Sequence, residues 1–518
     1  VKPRHLLALD VGTQSARALL FDARGELLGK AQRAFDPVYV SPQPGWAEQD
    51  PERYWEAMCE CSRQLWRDGL RPDDVAAVTL TTQRATMICV DAAGQSLRPA
   101  TVWLDQRRCT EPPRLSPLWR SLFRLAGAAP LVAHLQREAD ANWLAQHEPA
   151  IWRETDKFLF LSGWLTRRLV GAYVDSAGCQ VGFVPFDYAR LDWAGPRDFK
   201  WQAIAVRREQ LPDLVPPGAT LGALTTAAGE ALGVPAGVPL IAAAADKACE
   251  VLGSGATTPD AAQLSFGTTA TINTTQSRYI EVQRMLPAYP AAMPGAWNTE
   301  IQIYRGFWMV SWFKREFAHR EQALAAARGV PVEALFDELV AGVPPGSMGL
   351  MLQPYWSPGV RDPGPEAKGG IIGFGDVHTR AHFYRAILEG LVYGLRAGRE
   401  QIERRTGVAI RRLLVSGGGS QSDQAMQITA DVFGLAAERP PIYETSALGA
   451  AINAAVGIGL YRDHAQAVAA MTRKGTVFVP EPSAVATYDA LYREVYRRMY
   501  PRLKPLYERI RAITGYPP

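Results

Sequence analysis

One short unit occurs twice in this chain, and it limits the possible folds more than any other feature. Leu6–Asp10 is an apolar run that ends in Asp10-Val11-Gly12-Thr13-Gln14-Ser15, and residues 16–21 form a second run. Gln263–Phe266 is again strand-like, Gly267-Thr268-Thr269 is a turn, and Ala270–Thr274 reads as the returning strand. A chain of 518 residues is too long for one ordinary hydrophobic core. Two strand–Gly/Thr turn–strand units in its two halves therefore predict a duplicated α/β fold with two large lobes. The boundary is expected near residue 253, giving domains 1–252 and 253–518.

The intervening pattern fills in both lobes. Asp22-Ala23-Arg24-Gly25 reads as a hairpin turn and Leu27–Ala31 as a third antiparallel strand. Asp50–Arg67 has helical periodicity, with Asp50-Pro51 suited to an N-cap and first turn. Val75–Thr79 and Phe158–Leu161 read as strands, and Gly163–Leu169 as a helix. In the second half, Arg385–Gly407 is a long helix, Leu413–Ser416 a strand and Asp423–Phe433 a helix. Ser446–Gly459 is rich in Ala and Gly, which suits close helix packing.

Composition excludes several functions. Apolar residues make up 47% and charged residues 21%, as in a globular enzyme. A net charge of +4 is small for a nucleic-acid footprint, and the arginines of Arg493–Arg511 alternate with apolar residues as on a solvated helix face. The six cysteines form no C-x-x-C pair, which fits a reducing compartment. His378 and His382 are spaced i, i+4, but the Glu of a zinc-protease helix is missing between them. Lys2-Pro3-Arg4 leads into a strand with no signal-peptide pattern, and the longest apolar run, Val238–Ala245, is too short to span a membrane. The expectation is a cytoplasmic protein with no membrane or nucleic-acid partner; a homodimer stays open.

Four constellations carry chemistry. Asp10 at a strand end suits a hydrated Mg2+, and Gly12-Thr13-Gln14 offers N–H groups and a hydroxyl to phosphate oxygens; an ordinary polar hairpin is the alternative. Ser265-Phe266-Gly267-Thr268-Thr269 repeats that chemistry, so two such hairpins suit a triphosphate in an interlobe cleft. Ser416-Gly417-Gly418-Gly419-Ser420-Gln421-Ser422 lets a nucleotide approach the backbone, and the helix after it presents N–H groups. Asp246 ends the run Ala242–Ala245, where an acid is a helix cap, an ion-pair partner or a catalyst.

Together these stretches resemble the FGGY carbohydrate kinases, within the actin–hexokinase–heat-shock ATPase superfamily. The resemblance runs from Leu6 to about Gly459. Gly45-Trp46-Ala47-Glu48-Gln49-Asp50-Pro51 looks like the family's segment after its first β-meander. Thr82-Gln83-Arg84-Ala85-Thr86 and Trp103-Leu104-Asp105-Gln106-Arg107-Arg108 look like its sugar-site strands. Ala367–Phe374 through Ala386–Gly390 is similar to its second signature. The first signature departs: Asp140 stands where a lysine is usual, ahead of Trp143-Leu144.

The resemblance implies two ribonuclease H-like domains of the actin/hexokinase type around an active-site cleft. It implies Asp246 as the catalytic base and Asp10 as the acid on the Mg2+ side. Gly12, Thr13, Gln14, Gly267, Thr268 and Thr269 would be the phosphate hairpins, and Gly417, Gly418, Gly419 and Ser422 would meet the nucleoside end of ATP. Gln83, Arg84, Trp103, Asp105 and Lys247 would line the sugar pocket. A ketopentose such as D-xylulose fits Asp105 best, with glycerol or another polyol second and a sugar acid third. Arg84 and Lys247 suit an anionic substrate; the competing reading pairs Lys247 with Glu250. From a different class, an actin- or heat-shock-type ATPase would need the hairpins but no sugar pocket.

Overall fold

The computed structural model describes residues 5–359 and 363–516, so Lys2-Pro3-Arg4 lies outside the described residues. The chain forms two compact units, and neither is one continuous stretch. The first contains Val1–Gly255, Gln276–Asn298 and Glu444–Thr472; the second contains Ala256–Thr275, Thr299–Tyr443 and Arg473–Pro518.

The first unit is built on a six-stranded sheet. Its strands are β1 (His5–Val11), β2 (Ser15–Phe21), β3 (Leu27–Ala34), β4 (Val75–Thr82), β5 (Thr220–Ala223) and β6 (Pro239–Ala242), in the order β5-β6-β4-β1-β2-β3. The expected meander is present, with β1 antiparallel to β2 and β2 antiparallel to β3. β1, β4 and β6 run parallel, and Asp10 stands opposite Thr81.

Both faces of this sheet are covered, so β1 is apolar at nearly every position rather than alternating. Leu7, Leu9 and Val11 pack with Tyr54, Ala57 and Leu65 of helix α1 (Pro51–Arg67). Leu6 and Ala8 pack on the opposite face with Ala248 and Leu252 of α2 (Asp246–Gly253) and with Ala447 and Ala451 of the Thr445–Gly457 helix. Asp50 caps α1 by accepting from the Glu52 N–H, and Pro51 opens the first turn, as its sequence predicts.

The second unit repeats the pattern. Six of the seven strands of its sheet are β7 (Ala261–Phe266), β8 (Ala270–Gln276), β9 (Trp297–Ile303), β10 (Arg412–Ser416), β11 (Ala437–Arg439) and β12 (Thr476–Phe478), in the order β9-β8-β7-β10-β11-β12. β7 pairs antiparallel with β8 and parallel with β10, just as β1 does with β2 and β4. The long helix α3 (Arg380–Thr406) begins five residues before the start that its sequence suggests. Helix α4 (Asp423–Phe433) follows the glycine loop after β10. Among the described residues no helix is long and apolar enough to cross a membrane.

The small residues of the Ser446–Gly459 stretch allow α2 to lie against the Thr445–Gly457 helix at backbone distance. A Cβ on Gly253 would sit 2.0 Å from the Thr445 carbonyl oxygen, and one on Gly449 would sit 1.9 Å from the Cys249 carbonyl oxygen. Since α2 begins with Asp246, this contact also seats the proposed base. Gly449→Val is expected to lower stability by about 1–3 kcal/mol through overpacking, measured as a drop in the calorimetric Tm.

Candidate active site

Three parallel strands end beside one another, and each delivers polar residues at its C-terminal end. Asp10 is the penultimate residue of β1 and is 5% exposed. Arg17 Nη1 lies 3.3 Å from Asp10 Oδ2 and 3.3 Å from Glu444 Oε2, and Lys30 also pairs with Glu444. Burial pushes the Asp10 carboxyl up to about 7; the Arg17 charge opposes this, while the charges of Asp246 and Glu444 add to it. Asp10 and Asp246 thus lie within electrostatic reach of each other.

Asp246 follows β6 through Ala243-Ala244-Ala245 and is the first residue of α2. Hydrogen bonds fix the alanine run. Ser176 Oγ donates to the Ala243 oxygen, Thr81 Oγ1 donates to the Ala244 oxygen at 2.8 Å, and the Ala245 N–H donates to the Gly178 oxygen at 3.1 Å. Gly178 leaves room for the run to pass, since a Cβ there would lie 2.7 Å from the Ala244 Cβ. Asp246 Oδ1 accepts from the Lys247 N–H at 2.7 Å. Burial raises its pKa, and the charges of Lys247 and Arg84 pull it back. A carboxylate at a helix start is further favoured as the anion.

Arg84 and Lys247 separate here. Arg84 lies over the Tyr289 ring at 5.0 Å, and its charge reaches Asp246. Ala85 beside it has φ of +49°, an uncommon conformation for alanine that bends the chain just past β4. Lys247 Nζ lies 2.8 Å from Glu250 Oε2, so the ion pair is the arrangement found.

The side chains of Gln83 and Thr13 point at each other. Thr13 Oγ1 donates to Gln83 Oε1 at 2.6 Å, and Trp103 Nε1 donates to Thr13 Oγ1 at 2.8 Å. Gln83 Nε2 donates to the Tyr54 hydroxyl at 3.0 Å. Expected separately as phosphate and sugar ligands, Thr13 and Gln83 are joined in one chain with Trp103, a residue that is 41% exposed. Gly12 closes the turn through its N–H to the Ser15 oxygen at 3.0 Å, and Gln14 is exposed.

Asp105 occupies a brace. Its carboxylate accepts from the Ala47 N–H at 2.7 Å, from the Arg107 N–H at 2.8 Å, and from Arg107 Nε and Nη2 at 2.9 and 2.7 Å. Arg107 also reaches Glu48 at 2.8 Å and lies between the Trp46 and Trp143 rings at 4.2 and 4.7 Å. Glu48 pairs in turn with Arg98. The expectation that Asp105 touches the sugar meets a carboxylate with both oxygens taken by the protein. Arg17, Glu444, Glu48, Arg98 and Arg107 went unrecognised from sequence. Glu48 and Arg107 lie inside the two family-like segments, but Glu444 carries no local signal.

In the second unit, Gly267-Thr268-Thr269 is the turn between β7 and β8. The Gly267 oxygen accepts from the Phe307 N–H at 3.0 Å, and Thr268 is exposed. Gly417, at φ +88°, passes so close to this turn that a Cβ would lie 2.9 Å from the Phe266 carbonyl carbon. Gly419 packs under the Phe307 ring, while a Cβ on Gly418 would meet no atom within 4 Å. The N–H groups of α4 are less available than its sequence implies. Ser422 Oγ accepts from the Ala425 N–H at 3.1 Å and donates to Asp337, which also accepts from the Asp423 N–H at 3.1 Å. A half-buried carboxylate therefore already takes the Ser422 hydroxyl and the Asp423 N–H at the start of α4.

Two units sharing the arrangement of their first four strands, with acids at the strand ends of the first, define a two-domain α/β fold of the actin/hexokinase type. Residues 5–253 match the N-terminal domain of the FGGY family of carbohydrate kinases, and residues 262–458 match its C-terminal domain. The chain belongs to this family. It is 31% identical to a glycerol kinase of Methylibium petroleiphilum, covering 88% of this chain and 91% of that one. It is 27% identical to a xylulose kinase of Lactococcus lactis, covering 94% and 95%. A gluconate kinase from Lactobacillus acidophilus has the same fold, with a TM-score of 0.82, 20% identity and coverage of 98% and 99%. The protein is thus a kinase of sugars or polyols rather than a chaperone or filament ATPase.

Asp140, in place of the family's lysine, has its carboxyl pushed up to about 7 by burial and by the Asp105 charge, against Arg107 and Arg98. A raised acid pKa favours the fold fully below the unfolded value near 4, and that advantage is lost as pH rises through about 7. Asp140→Asn is therefore expected to be more stable than wild type at pH 8, by about 1–3 kcal/mol after screening, and no more stable at pH 4. Thermal melts at the two pH values check this.

Proposed function

We propose that this chain catalyses ATP-dependent phosphorylation of a ketopentose such as D-xylulose, with Asp246 as general base. The observation that carries the reading is Asp246 itself. It is partly open, held by a hydrogen-bonded alanine run at the start of α2, and raised in pKa while Arg84 and Lys247 keep its anion accessible. Such a group accepts the proton of a sugar hydroxyl as its oxygen attacks the γ-phosphorus. A general base contributes about 10²–10⁴-fold to such a step. Phosphoryl transfer otherwise needs alignment and charge neutralisation, which the Gly12–Gln14 and Gly267–Thr269 turns and the Gly417–Gly419 loop would supply to ATP. In this reading the sugar-binding residues and the Gly12–Gln14 turn belong to the N-terminal domain, and the Gly267–Thr269 turn and Gly417–Gly419 loop to the C-terminal domain.

Mg2+ fits Asp10. Among the described residues no group of three or more His, Cys, Asp or Glu side chains would hold a metal alone. A single crowded carboxylate whose pKa reaches about 7 suits an ion that arrives with the nucleotide and keeps most of its waters. When bound, the ion would neutralise charge on the phosphate oxygens. Arg17, between Asp10 and Glu444, supplies the protein's own positive charge there.

For the acceptor, the exposed Trp103 ring offers an apolar face to sugar C–H groups, and Asp105 with Arg107 holds its loop. A ketopentose is supported by the kinship with a xylulose kinase and by the Trp103-Leu104-Asp105-Gln106-Arg107 pattern. Arg84 favours a second reading, a sugar acid, because its charge stands close enough to bias Asp246. Lys247 adds less to that reading, being paired with Glu250.

A panel of ketopentoses, polyols and aldonic acids, assayed for ADP release and phosphorylated product, separates these readings. D-xylulose is expected to give the highest kcat/KM; a wild-type chain that phosphorylates no member of the panel defeats the proposal. Asp246→Asn is expected to fold normally and lose at least about 100-fold in kcat, and a variant keeping more than about a tenth of turnover defeats the assignment of Asp246.

A further inference from the structure

Four side chains of the first unit form a continuous hydrogen-bonded line that none of their separate roles explains. The Trp103 N–H donates to the Thr13 hydroxyl, Thr13 donates its one proton to Gln83 Oε1, and Gln83 Nε2 donates to the Tyr54 hydroxyl. Every member therefore has a set polarity, and each bond polarises the next. The turn is fastened twice more by backbone. The Gln83 N–H donates to the Val11 oxygen at 3.0 Å, and the Phe35 N–H donates to the Gln14 oxygen at 2.8 Å. Tyr54 stands behind both attachments: it receives Gln83, and its ring meets Phe35 edge-on at 5.4 Å. It is fully buried on α1, with no surface open to a ligand.

We propose that Tyr54, Gln83, Thr13 and Trp103 are a positioning relay, by which an acceptor seated on the Trp103 ring holds the Gly12–Gln14 turn in place to align the phosphates. This rests on the kinase reading given above. The open face of Trp103 is where an acceptor acts on the line, and the Asp105–Arg107 brace keeps the rest of that loop from moving. With the pocket empty, the indole N–H holds Thr13 without support from bound ligand. The turn is then held less firmly, and transfer of the γ-phosphoryl group to water, giving ADP and inorganic phosphate, stays slow. Tyr54 is the far anchor. It is a positioning residue, acting on the phosphates only through Gln83 and Thr13.

The test uses the full chain with the best acceptor from the sugar panel. Tyr54→Phe keeps the ring and deletes the hydroxyl, Thr13→Val deletes the hydroxyl at nearly constant volume, and Thr13→Ser restores it. Tyr54→Phe and Thr13→Val are expected to raise KM for ATP about 3–10-fold, the effect of one ordinary hydrogen bond. They are expected to leave KM for the acceptor within about 2-fold and to reduce the acceptor's stimulation of ATP turnover by at least about 5-fold. Thr13→Ser, which returns the hydroxyl without the methyl, is expected to recover most of the acceptor stimulation that Thr13→Val loses. A Tyr54→Phe protein with unchanged Tm and unchanged acceptor stimulation overturns the relay, as does Thr13→Ser behaving like Thr13→Val. A wild-type chain active on no acceptor marks failure of the functional reading instead. ATP affinity by calorimetry then decides the relay, and equal affinity in wild type and Tyr54→Phe overturns it.

Discussion

Burial of both faces of the central strands is the constraint from which the site follows. β1, β4 and β6 are parallel neighbours covered by α1 on one side and by α2 with the Thr445–Gly457 helix on the other. Charged side chains along such strands would be desolvated without partners. Polar chemistry is pushed to the strand ends, where Asp10, Gln83 with Arg84, and Asp246 emerge close together. Glycine at 253 and 449 then permits the helix contact that seats Asp246.

Charge balance gives each acid its character. Asp105 and Glu48 share Arg107 and Arg98 in a buried brace clamped by two tryptophans. Breaking such a pair leaves a buried charge uncompensated, so the brace serves position more than net stability. Asp10 meets Arg17 through one nitrogen at 3.3 Å, Asp246 accepts from the Lys247 N–H, and both are raised in pKa. The first suits a cation brought with substrate, and the second suits a proton.

The second unit reuses the topology with different polar work. Its hairpin has Ser265 and Phe266 where the first has Asp10 and Val11, so no acid emerges there. Asp337 accepts from the first N–H of α4, and Gly418 is the glycine of the loop with open space around it. The shared strand arrangement thus carries an acid at the end of its first strand in one copy and a serine in the other.

Much of this was legible in the sequence because it is local. Alternation and length mark the paired hairpins, Asp50-Pro51 marks the start of α1, and the alanine run ending in Asp246 marks a strand-to-helix turn of small residues. The resemblance to FGGY kinases rests on such local segments, and it holds over both domains. Partners distant along the chain carry no such mark. Glu444 meets Arg17, Ser422 and Asp337 meet at the start of α4, and Gln276–Asn298 and Glu444–Thr472 pack with the first unit although they lie in the second half of the sequence. The duplicated α/β fold, the kinase family and the residues at the strand ends follow from local sequence. The bracing role of Asp105, the Lys247–Glu250 pair and the bonds of Thr13 to Gln83 and Trp103 emerge with the folded chain. A polar side chain's role depends on which donors and acceptors the fold brings within hydrogen-bonding distance.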